Sequence, residues 1–236
     1  MPIRGVFFDA AGTLMRPIGR VGETYAQLAR HYGVEASPSN ITARFRSCFA
    51  SAPPLAFPNS SRSGLPELEC AWWKTLVQRV FEPWEPFPGF DDYFAELFSH
   101  FAQPDAWELF PEVLETLAAL KEQGLILDVI SNFDSRLTGI LEGLGVVRYL
   151  DRIFVSSRIG YAKPAREIFQ AGLDAHAVAA KNIVHVGDSK EKDFHGAIDA
   201  GLEAILVDRN AGLGAKPSWT ISTLKEILPW INNFSK

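Results

Sequence analysis

Several residue types are too scarce in this chain to define it. Its 236 residues include two cysteines, Cys48 and Cys70, in no CxxC or Cys/His spacing. That excludes a disulfide-built scaffold and a cysteine-ligated metal site. The pair reads as apolar thiols in a reducing cytosol, with a disulfide between them as the alternative. No run approaches the ~20 apolar residues of a membrane span. No basic segment, apolar stretch and cleavage site follow one another at the N-terminus, so the expectation is a cytoplasmic protein without a membrane partner. Neither charge sign dominates: 23 Lys and Arg face 28 Asp and Glu, for a net charge of -5. That argues against a nucleic-acid or anionic-membrane partner while leaving room for a local phosphate pocket. Internal repeats and low-complexity tracts are also missing. What remains, 47% hydrophobic and 22% charged residues, suits a globular protein of one large or two smaller domains.

Five short apolar runs, at 3–8, 125–130, 152–155, 182–186 and 204–207, predict buried strands. The later runs alternate with helical patterns. Val113, Leu114, Leu117 and Leu120 share one helix face that Gly124 terminates, and Leu137, Ile140, Leu141 and Leu144 share another. Strand–helix alternation predicts an α/β fold, a Rossmann-like parallel sheet with helices on both faces. In such a sheet the functional edge is the carboxyl end of the strands, and Asp9, Ser131 and Asp188 each fall just past one. Residues 16–105 differ. They hold most of the prolines and many aromatics in helical stripes, such as Trp72, Trp73, Leu76, Val77, Val80 and Phe81. They predict an all-helical domain inserted into the α/β core formed by residues 1–15 and 106–236. The aromatic stripes suit a bundle core, and one end of that bundle could also close over the catalytic edge.

Asp9 ends the run Val6-Phe7-Phe8 and opens the small-residue turn Ala10-Ala11-Gly12-Thr13-Leu14. A carboxylate there can attack in covalent catalysis or bind Mg²⁺. It can equally end a strand and cap a turn. Gly187 lets the chain turn after the fourth run and puts Asp188 at its tip, with Asp193 five residues on. Together with Asp9 these make an oxygen-rich set suited to Mg²⁺, or else turn and helix-start acids. Ser131-Asn132 can hold a phosphate oxygen or cap a helix. Lys163, fixed before Pro164, can neutralise clustered carboxylates or lie in solvent. His185 reads as a packed core residue and His195 as lying on a different helix face from Asp193.

In order and position, Asp9-Ala10-Ala11-Gly12-Thr13-Leu14, Ile130-Ser131-Asn132, Lys163-Pro164 and Gly187-Asp188 with Asp193 resemble the four motifs of the haloacid dehalogenase-like superfamily. Each is weak alone, and the ordered set is specific. The insertion resembles that family's C1-type cap (subfamily IA). Finer features resemble its haloacid dehalogenase-like hydrolase domain-containing subgroup. The resemblance implies a Mg²⁺-dependent hydrolase of a small phosphorylated molecule, a monomer or homodimer. Asp9 would carry an aspartyl-phosphate. Asp9, the Ala11 carbonyl and Asp188 would hold Mg²⁺, with Asp193 supporting the metal shell. Ser131 and backbone N–H groups, among them those of Ala10, Ala11 and Asn132, would bind phosphoryl oxygens, and Lys163 would offset charge.

One position departs from the pattern. Phosphatases of this family usually carry an aspartate two residues after the nucleophile, as general acid and base, and this chain has Ala11. Losing such a group costs ~10²–10⁴-fold and weighs most on alkyl phosphates. Three other readings follow. A phosphonate-cleaving relative would need a cap lysine, and Lys74 is the only lysine between residues 17 and 105. A dehalogenase would need no metal, against the retained Asp188 and Asp193. A non-catalytic phosphate- or Mg²⁺-binding protein would act through its aromatic cap. Substrate choice is expected to lie in loops such as 19–22 and 52–64.

Overall fold

In the computed structural model, which describes residues 2–209 and 217–234, Val6, Phe7 and Phe8 are fully buried. They form β1 (Gly5–Phe8) near the middle of a six-stranded parallel sheet. The other members are β4 (Ile126–Ser131), β5 (Arg152–Val155), β6 (Ile183–Gly187), β7 (Glu203–Val207) and β8 (Thr220–Ile221), in the order β5-β4-β1-β6-β7-β8. Side chains alternate across the sheet as a period of two requires. Val6, Phe8, Leu127, Val129, Val184 and Val186 enter one core with α5 (Val113–Glu122), α6 (Leu137–Gly143) and α10 (Ile227–Phe234). Phe7, Ile130 and Ile183 enter another with α8 (Arg166–His176) and α9 (Gly196–Asp199). The five predicted runs are all strands, and helices cover both faces of the sheet.

β1 pairs with β4 on one side and β6 on the other, with Phe8 level with both Val129 and Val186. The chain therefore runs from β1 outward through β4 and β5, then crosses back to β6. This reversal opens a crevice at the carboxyl ends of β1, β4 and β6, where ligands of open α/β sheets bind.

Between Pro17 and Trp107 lie four α-helices, α1 (Val21–His31), α2 (Pro38–Ala50), α3 (Leu65–Phe81) and α4 (Phe90–His100). They enclose their own apolar cluster, in which Tyr25, Phe81 and Tyr93 are buried and in ring contact. The segment leaves and returns through a short antiparallel ribbon, β2 (Met15–Pro17) with β3 (Trp107–Leu109). Sequence reading missed this ribbon and β8, because strands of two or three residues, one containing Pro17, show no alternation. The helix that follows Pro164, α8, begins at Arg166, with Ala165 as its N-cap.

Candidate active site

The turn after β1 is set by its own backbone. The Ala10 carbonyl accepts from the N–H groups of Thr13, Leu14 and Met15 at 3.3, 2.8 and 3.0 Å. Gly12 adopts φ +94°, which L side chains rarely take, and a Cβ there would collide with the Asp188 carboxylate. A Cβ on Gly187 would likewise strike the Asp193 carboxylate. Both glycines are therefore needed for the close approach of carboxylates to backbone. With them in place, Asp9, Asp188 and Asp193 each offer a carboxylate oxygen within 4.8 Å of the others'.

Lys163 lies among these acids, almost wholly buried. Its Nζ donates to Asp9 Oδ1 at 2.7 Å, Asp193 Oδ1 at 2.6 Å and the Ile130 carbonyl at 2.8 Å, which uses all three protons. Burial works against its charge, but Asp193 and Asp9 outweigh burial and hold the ammonium above its usual value. Asn132 secures the lysine from behind: its Nδ2 donates to the Lys163 carbonyl at 2.9 Å and its Oδ1 accepts from the Lys163 N–H at 2.7 Å. Ser131 Oγ donates to Asp9 Oδ1 at 3.1 Å. Both side-chain partners of Asp9 are thus on Oδ1, and Oδ2 faces neither.

The three acids differ in environment. Asp193 sits in a π-helical turn, Lys190–His195. Its Oδ1 takes Lys163 and His185 and its Oδ2 takes the Ser189 N–H at 2.9 Å. Burial opposes ionisation, but Lys163 and His185 together hold this carboxyl well below the usual range. For Asp9, burial and the Asp193 charge prevail over Lys163 and raise the carboxyl. Asp188 stands at the rim as an exposed residue, yet its carboxyl end is crowded on the Gly12 side. That desolvation, with the charges of Asp9 and Asp193, pushes it up to about 7. The site therefore holds more carboxylates than its one lysine can balance. An unbalanced all-oxygen set of this kind fits a hard divalent cation such as Mg²⁺.

His185 is buried as expected and also belongs to this cluster, 2.9 Å from Asp193 through Nε2. Burial works against a charge on the ring and lowers its pKa, and among the described residues Nδ1 has no partner. Alternation along β6 places His185 on the face of Ile183, opposite Val184 and Val186. Sequence reading also missed the groups after Asn132. Asp134 is fully buried and accepts from Trp73 Nε1 at 2.6 Å and from Arg136 Nη2 at 2.7 Å. Glu69, on α3, accepts from Ser135 Oγ at 2.8 Å. Lys74 pairs with Asp91 at 2.8 Å on the bundle surface, and His195 is exposed.

Fold and site together define a doubly wound α/β protein with a carboxylate–lysine cluster at its switch point and a helical insertion after the first strand. A family profile described as haloacid dehalogenase-like hydrolase matches residues 3–201. Haloacid dehalogenase-like hydrolase domain-containing protein 3 of Danio rerio is 32% identical over 233 residues, 96% of each chain. The chain belongs to the haloacid dehalogenase-like hydrolase family. Among solved structures, a phosphatase of this family from Thermococcus onnurineus aligns over 97% of this chain and 98% of its own, at TM-score 0.66 and 22% identity. The L-2-haloacid dehalogenase RSc1362 aligns over 98% and 100%, at TM-score 0.73 and 19% identity. These two likenesses show the fold and do not select a chemistry.

Proposed function

We propose that the protein is a Mg²⁺-dependent hydrolase of a small phosphorylated molecule, with Asp9 as nucleophile and residues 16–105 as its cap. The observation that carries this reading is the excess of carboxylates around one buried lysine, within 4.8 Å of one another. Asp9, Asp188 and the Ala11 carbonyl would hold the cation, and Asp193, whose oxygens are already engaged, would fix its surroundings. When bound, Mg²⁺ supplies charge neutralisation and polarises a phosphoryl oxygen.

The chain's own groups supply the rest. Ser131 and Lys163 hold Asp9 by Oδ1, which leaves Oδ2 to attack phosphorus. The new P–O bond forms on Asp9 as the bond to the leaving oxygen breaks, and water then hydrolyses the aspartyl-phosphate. Neither the Ala10 nor the Ala11 N–H has a backbone acceptor among the described residues. Both are available to phosphoryl oxygens, whose stabilisation is mainly a matter of positioning and charge. Ala11 packs half-buried on the main core and donates no proton. The leaving oxygen therefore departs as the anion or takes its proton from water, which favours aryl and acyl phosphates over alkyl esters.

Two alternatives are less well supported. Dehalogenation gives no reason for a second and third carboxylate beside Asp9. Schiff-base phosphonate cleavage needs a desolvated cap lysine, and Lys74 is ion-paired at the surface. The test is turnover of phosphate esters graded by leaving-group acidity, with and without Mg²⁺, beside Asp9→Asn. The expected outcome is Mg²⁺-dependent turnover that rises steeply with leaving-group acidity and vanishes in Asp9→Asn. Mg²⁺ and phosphate affinity without any Asp9-dependent turnover would instead identify a non-catalytic binding protein.

A further inference from the structure

The turn that carries Asp9 is gripped from outside by a residue belonging to none of the four motifs. Arg209 follows β7 on the chain, with its side chain largely buried. Its Nη2 donates to the Thr13 carbonyl at 2.6 Å and its Nε to the Gly12 carbonyl at 3.4 Å. Its Nη1 pairs with Glu112 Oε1 at 2.7 Å, and the guanidinium carbon lies 3.4 Å from the centre of the Phe110 ring. Glu112 also accepts from the Leu224 N–H at 3.2 Å. Burial works against the Glu112 charge, but the bonds from Arg209 and the backbone hold its carboxyl below the usual range. The Phe110 N–H donates to the Leu14 carbonyl at 3.1 Å.

These bonds account for the turn's acceptors one by one. The Ala10 carbonyl is used within the turn, those of Gly12 and Thr13 by Arg209 and that of Leu14 by Phe110. Among the described residues, Ala11 has the one carbonyl from 10 to 14 without a donor. We propose that Arg209 is a positioning residue for the cation site, clamping the Gly12 and Thr13 carbonyls so that Asp9 and the free Ala11 carbonyl are held ready for the metal. A guanidinium is required because its planar fork reaches two carbonyls and a carboxylate while stacking on a ring, which a lysine ammonium cannot do. The proposal rests on the Mg²⁺-dependent reading above and adds a residue outside its motifs.

The test compares Arg209→Met and Arg209→Lys with the parent and with Arg16→Met, which removes a neighbouring arginine that pairs with Glu108 and lies over the same Phe110 ring but, among the described residues, bonds none of the turn carbonyls. Mg²⁺ affinity is measured by calorimetry, and kcat and KM on an aryl phosphate at saturating Mg²⁺. Arg209→Met is expected to weaken Mg²⁺ binding at least tenfold and to lower kcat more than it raises KM. Arg209→Lys should recover only part of the loss, and Arg16→Met should match the parent. Should Arg209→Met not fold, Arg209→Lys carries the same comparison. Mg²⁺ affinity within twofold of the parent in a folded Arg209 variant would overturn the clamp. A parent that binds Mg²⁺ in an Arg209-dependent way without turnover would keep the clamp and remove the hydrolase reading. A parent that binds no Mg²⁺ would overturn both.

Discussion

Ala11 and Asp188 each place a measurable consequence on one side chain. Restoring the acid with Ala11→Asp should raise turnover of alkyl phosphates by ~10²-fold or more, the usual worth of a general acid, and that of aryl phosphates much less. Equal rates on both classes before and after the change would remove Ala11 from the account. Asp188 makes a pH prediction. Its folded-state pKa of about 7 lies above the unfolded value of about 3.9, so the folded, metal-free protein binds the proton more tightly. The corresponding stabilisation is fully present below the unfolded value and is lost as pH rises through the folded one. Asp188→Asn should therefore raise the melting temperature of metal-free protein most at pH 8, less at pH 5 and little below about pH 4. Because the cation must displace that proton, Mg²⁺ affinity should rise between pH 6 and 8. A flat affinity profile, or an Asn variant less stable at pH 8, would contradict this assignment.

At the scale of elements, the docking of α3 and α4 onto the sheet domain runs through the segment after Asn132. Arg136 Nη1 donates to the Phe98 carbonyl at 3.0 Å, and its guanidinium carbon lies 3.8 Å from the centre of the Phe98 ring. It also neutralises the buried Asp134, to which Trp73 of α3 donates. Trp73→Phe removes one donor from a charged acceptor and should cost about 1.5–3 kcal/mol. Arg136→Met leaves Asp134 buried without its cation and should cost about 3–5 kcal/mol. Urea unfolding that ranked the two in the opposite order would show that Asp134 is stabilised by something other than Arg136. None of this could be read from the sequence. The Trp72-Trp73 pair announced only an apolar stripe, and the indole N–H of Trp73 finds its partner across 61 positions. The strands were legible because both sheet faces are buried, which gives continuous apolar runs. β2, β3 and β8 were not, because two or three residues carry no periodicity.

For the molecule as a whole, the sequence named most of the groups that meet at the switch point, because each sits at the end of a recognisable strand or turn. It could not show their division of labour. Asn132, read as a phosphate-binding residue, also clamps the Lys163 backbone. His185, read as core, touches Asp193. Arg209 lies in no motif and is visible only once β7 is placed beside β6. The strand order follows from pairing across more than a hundred residues, as in Phe8 with Val129, which no local pattern encodes. The central claim is that these distant residues share one divalent cation. Its most direct test is Mn²⁺ binding followed by electron paramagnetic resonance, with Mn²⁺ standing in for Mg²⁺ at an all-oxygen site. One Mn²⁺ per chain is predicted, displaced by excess Mg²⁺ and lost in Asp188→Asn. No stoichiometric binding, or binding that survives Asp188→Asn unchanged, would contradict the account.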